Sequence, residues 1–145
     1  MEKIPVKEIL LLVFLLINAG WDLKKREIMF HSVLVFGMTG ISILLFQSGL
    51  GMEAFLTGAA GIIPGIIVLG IAWMTREAVG YGDGAVIVVC GIYLGILETI
   101  ALLFYALLLC SAMSAVLLML KRGGRKTEVP FIPHLLFGFC CVLLV

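Results

Sequence analysis

Apolar runs near the length that crosses a bilayer, about 20 residues, alternate along this chain with short polar or glycine-containing connections. Six such segments can be marked: Ile4 to Trp21, Ile28 to Phe46, Met52 to Met74, Gly84 to Ile96, Thr99 to Leu120 and Val129 to Val145. The pattern predicts an all-α integral membrane protein of about six transmembrane helices, organised as one domain over residues 1–145, with no internal repeat and no low-complexity stretch. The glycine-rich third segment predicts close helix packing. The fourth segment is short: 13 residues cover roughly 20 Å of a hydrocarbon core about 30 Å thick. Either that helix runs on past Glu98, or its start at Asp83 lies below the membrane surface, facing protein or a water-filled cavity. The second arrangement is favoured and puts Asp83 at membrane depth.

Composition agrees with the pattern. Of 145 residues 63% are hydrophobic and 13% charged, with a mean hydropathy of +1.25, against an apolar share of about half in soluble domains. A net charge of +1 gives no reason to expect a nucleic-acid or acidic partner, whereas membrane lipids are expected to surround the chain. The first apolar run follows Glu2, Lys3, Lys7 and Glu8 and has no small-residue cleavage pattern behind it, so it is expected to be retained as a helix. Lys24, Lys25, Arg26, Arg76, Lys121, Arg122, Arg125 and Lys126 fall on one side of the alternating segments, and only Lys3 and Lys7 on the other. By the positive-inside rule the N-terminus is external and the three basic loops are cytoplasmic. Cys90, Cys110, Cys140 and Cys141 all lie within apolar segments without paired CxxC spacing and are expected to be packing residues.

Asp22 and Asp83 are the chain's only aspartates. One ends the first segment and the other begins the fourth, so the topology carries both to the cytoplasmic half. Two converging carboxylates suit acid-base hydrolysis of an amide: one takes a proton from water while its protonated partner polarises the scissile carbonyl, and proximity itself drives the two groups into opposite protonation states. Neither a metal nor a cofactor is required. Structural roles compete with this one. Asp83 has the residue type favoured at a helix start, and Asp22, disfavoured at a helix end, has Lys24, Lys25 or Arg26 nearby for an ion pair. On the residues alone the two readings stand level, with intramembrane acids leaning toward function.

Three stretches resemble the prepilin peptidases, membrane aspartic peptidases of the GxGD type: "WDLKKREI" around the first aspartate, "REAVGYGDGAVIVVCGIYLG" around the second, and "VPFIPHLLFG" at the start of a late helix. The resemblance covers the chain in the family's order. It implies a GxGD aspartic protease-like bundle in which Asp22 and Asp83 are the catalytic pair and Gly80 and Gly82 shape the motif loop beside the substrate. Tyr81 falls at the variable position, while Pro130, Phe131 and Pro133 are structural or line the site. It also implies a prepilin-like substrate whose short basic leader is cut at the cytoplasmic face. Met29 and Phe30 stand where the family usually has proline and asparagine, and Ala85 where it often has lysine. The cytosolic insertion with paired cysteines that accompanies N-methylation in longer members has no counterpart, so peptidase activity without methyltransferase activity is expected. The compact form is similar to members serving tight-adherence (Flp-type) pili or related pseudopilins.

Other features carry less. His31 and His134 with Glu27, Glu77 or Glu128 match no familiar metal spacing. Trp21 and Trp73 are placed as interface anchors; Trp21 also stands where presenilin-type GxGD proteases have tyrosine, which sets the chain apart from that class. "KRGGRKTE" is the positive-inside signal itself and suits anionic headgroups. The competing reading, a non-catalytic membrane scaffold or pilus assembly factor with structural aspartates, differs in predicting that Asp-to-Asn variants keep function. Oligomeric state has no signature in the sequence.

Overall fold

The computed structural model describes residues 6–25, 30–49, 51–75, 81–120 and 131–144. Every element among them is helical: α1 (Val6–Lys25), α2 (Phe30–Ser48), α3 (Met52–Ala60), α4 (Ile63–Met74), α5 (Tyr81–Leu94), α6 (Ile96–Met119) and α7 (Phe131–Leu144). The all-helical expectation holds, and the helices follow the marked segments with two instructive differences. Two stretches, Phe55–Met74 and Ile96–Met119, are long and apolar enough to cross a membrane, and α5 and α7 are shorter apolar helices.

The third segment is expected to be one helix and is two, α3 and α4, broken at Gly61 and Ile62. Pro64 explains the break, because it has no N–H for the helical ladder and its ring opposes the carbonyl four residues earlier. Placed instead in the first turn of α4, it costs no hydrogen bond. The break also brings Gly61 into backbone contact with Gly91 of α5, where neither position has room for a side chain. Small residues thus let α4 and α5 approach closely, as the glycine-rich segment predicted.

The second difference concerns the fourth segment. It does not run on past Glu98: α5 stops at Leu94, and Gly95, with φ of 88°, turns the chain straight into α6, whose first turn contains Glu98. That backbone conformation is accessible essentially to glycine alone. The Thr99 hydroxyl, buried, donates to the Gly95 carbonyl at 2.6 Å and ties the turn down. At its other end α5 begins at Tyr81, so the motif is helical sooner than expected.

α5 is the central helix. It packs against α1, α2, α3, α4 and α6 and buries Val86, Ile87, Val89, Cys90, Ile92 and Tyr93; all of these but Ile92, with Leu11, Phe14 and Leu15 of α1, Leu102 and Ala106 of α6 and Ile132, Leu135 and Phe139 of α7, make one core. The Tyr93 hydroxyl donates to the Phe36 carbonyl of α2 at 2.8 Å, and Phe36 meets Phe14 with ring centroids 5.2 Å apart. Outward faces are apolar too, including Val35, Ile66, Ile67, Phe104 and Leu107, as a bundle in lipid requires. The two ends are charged. Glu98 lies within electrostatic reach of Lys7 and Glu8, which places the starts of α1 and α6 together, while Asp22, Lys24 and Lys25 stand at the far end of α1.

Candidate active site

The buried face of α1 reads Leu11, Phe14, Leu15, Asn18, Ala19, Asp22, the three- and four-residue spacing of a helix stripe turned inward. Asp22 falls on that stripe and is only 8% exposed. A carboxylate in the last turn of a helix opposes the helix dipole, and Lys25 does not neutralise it, since its ammonium lies over the Trp21 ring, 4.7 Å from the centroid. The ion pair considered for Asp22 is therefore not made with Lys24 or Lys25; Arg26 lies outside the described residues. Instead the start of α7 approaches, and the Ile132 backbone lies within reach of Asp22. The N–H groups of a helix's first turn have no partner within the helix and favour an anion. Pro133 stands in the same turn, where its missing N–H takes nothing from the helix.

Asp83 enters from α5. It sits in that helix's first turn, half-buried, where the dipole favours a carboxylate. The Asp22 charge acts on it, so the only two aspartates of the chain, 61 positions apart in sequence, lie within electrostatic reach of each other. Gly82, expected in a loop, is part of the first turn of α5: Gly84 packs against Leu69 of α4, and this close helix contact holds a glycine-rich stretch in a conformation its propensity disfavours. Gly80, Pro130, Glu27, Glu77 and Glu128 lie outside the described residues.

Residues 9–115 match the type IV leader peptidase family. The chain belongs to that family. The matched region contains both aspartates and stops short of α7. No curated protein and no solved structure matches the chain. Membership makes the chain a peptidase of the leader-peptidase kind with prepilin-like substrates, and together with the two long apolar helices it points to a membrane protein.

Three residues near the two aspartates were not singled out as site residues from sequence. Ile132 contributes only a backbone N–H and has no side-chain signature. Cys110 extends the inward stripe of α6 that runs through Thr99, Leu102 and Ala106, and the Asp83 charge reaches it. Asn18, fully buried one turn before Asp22, did carry a signal: an amide on the inward stripe of an apolar helix. The four cysteines are free thiols. Among the described residues no three His, Cys, Asp or Glu side chains gather as a metal site would require.

Proposed function

We propose that this leader peptidase is a membrane aspartic endopeptidase, a single transmembrane peptidase domain of six spans that removes the leader of type IV pilin-like precursors, with Asp22 and Asp83 as its acid-base pair. The approach of two half-buried or buried carboxylates from different helices is the observation that carries the reading. In the ground state one carboxyl is ionised and the other holds a proton. The ionised group takes a proton from a water molecule as that water attacks the scissile carbonyl, while its partner donates to the carbonyl oxygen. The tetrahedral intermediate collapses as the first carboxyl passes its new proton to the leaving amine and the second takes one back from the intermediate's hydroxyl, so that the pair regains its starting state after one turnover. The pair titrates as a unit.

The basic loops support a cytoplasmic cleavage site and an external N-terminus. At about 1.5 Å per residue the 14 residues of α5 span roughly 21 Å. With the Gly95 turn near the external surface, Asp83 then lies below the cytoplasmic one. The compact chain fits a peptidase of Flp-type or pseudopilin systems, without methyl transfer. The decisive variant is Asp83→Asn, which keeps size and shape: it accumulates and folds as the wild type does but leaves a short-leader precursor uncut. Cleavage retained by that variant sinks the mechanism.

A further inference from the structure

Asn18 precedes Asp22 by four residues, one helical turn away on the same face, and is fully buried. Its amide nitrogen donates to the Phe14 carbonyl at 2.9 Å and to the Ser32 hydroxyl of α2 at 3.1 Å. These bonds fix the amide's orientation, because the flipped amide would set oxygen against the Phe14 carbonyl oxygen. The Asn18 Oδ1 is thereby left over. Among the described residues, it and Asp22 Oδ2 are the buried side-chain oxygens without a hydrogen-bond partner. With Asp22 ionised both are acceptors, so neither satisfies the other, and the same small donor answers both needs.

We propose that Asn18 is a positioning residue of the peptidase, and that its Oδ1 and Asp22 Oδ2 hold one water molecule between them, which donates one proton to each. Water is the chemistry that fits: two acceptors one turn apart in a polar, enclosed place call for two O–H groups on a single small molecule. Asp22, with the Ile132 backbone beside it, is then held through Oδ2 by the Asn18-bound water. A carboxyl fixed in this way presents a constant geometry to Asp83 and to the attacking water, which is how supporting groups act on a reacting pair. The proposal rests on Asp22 being half of the acid-base pair.

The test uses the full chain, purified in detergent, with a synthetic precursor carrying a short leader, and compares wild type, Asn18→Leu, Asn18→Gln and Asp22→Asn. Asn18→Leu is expected to lower kcat about 10- to 100-fold, the loss typical of a slightly misplaced reacting group, with KM unchanged and only a modest fall in unfolding temperature from the lost bonds to Phe14 and Ser32. Asn18→Gln restores the amide oxygen and recovers part of the loss. Asp22→Asn is inactive. Wild-type kcat in Asn18→Leu beside an inactive Asp22→Asn overturns this proposal alone, whereas an Asp22→Asn variant that cleaves normally overturns the acid-base reading beneath it. A raised KM with kcat intact, or no recovery in Asn18→Gln, assigns Asn18 to substrate contact or packing and also overturns it. Should Asn18→Leu fail to accumulate, Asn18→Ala makes the same comparison, and wild-type kcat there is equally fatal.

Discussion

Gly91→Ala adds one methyl group at the place where α5 crosses the Gly61 break. The new Cβ would stand 2.5 Å from the Gly61 carbonyl carbon and 3.2 Å from the Ile62 nitrogen, where ordinary contact begins near 3.4 Å. These are backbone atoms and cannot rotate away, so α4 and α5 must part by about 1 Å at the crossing. Overpacking of this kind costs about 1–3 kcal/mol, and the better helix propensity of alanine returns about 1 kcal/mol, leaving a net loss of about 0–2 kcal/mol. Activity responds more strongly. Asp83 rides eight residues earlier on the same helix, and a displacement near 1 Å between reacting groups lowers rates about 100-fold. The assay pairs thermal unfolding of the detergent-purified chain with cleavage of a short-leader precursor, and Gly70→Ala is the control, since nothing lies within 4 Å of the added Cβ there. The expected result is a modest loss of stability and a large loss of cleavage in Gly91→Ala, with Gly70→Ala unimpaired in both. Full activity in Gly91→Ala would show that the crossing does not set the position of Asp83.

Three further outcomes are expected. Gly95→Ala strains a backbone at φ of 88° and should destabilise the chain by about 1–3 kcal/mol, read as a lowered unfolding temperature; an unchanged one contradicts the tight α5–α6 turn. Tyr93→Phe removes the hydroxyl bond to the Phe36 carbonyl and should cost about 0.5–1.5 kcal/mol without altering the cleavage rate, as a denaturation and kinetic comparison would establish. Cleavage in the wild type should follow a bell-shaped pH profile, because a coupled carboxyl pair works only with one proton shared between the two groups; a profile that stays flat through the acid range contradicts the acid-base pair.

Much of the helical plan was legible because lipid-crossing helices repeat a length and an apolarity that polar punctuation interrupts. The two aspartates stood out for a related reason, being acids that interrupt apolar runs at matching ends. What escaped the sequence depends on contacts between distant helices. Gly82 was expected in a loop on the family resemblance, yet the motif is helical, and Gly84 against Leu69 and Gly91 against Gly61 make these two glycines the means by which α5 packs. Pro64 did signal the break between α3 and α4, although the apolar run concealed it. Ile132 could not be found in advance, since a backbone N–H supplied from 110 positions downstream of Asp22 leaves no mark on residue type.

The central claim is that Asp22 and Asp83 together hydrolyse a leader bond. Its most direct test is co-expression of a short-leader pilin precursor with the wild type, Asp22→Asn or Asp83→Asn, the three membrane proteins shown to accumulate equally, followed by the intact mass of the precursor. The account predicts a mass loss at one leader bond with the wild type and an unprocessed precursor with either variant. A precursor processed equally by all three would contradict it and leave the aspartates with a structural role.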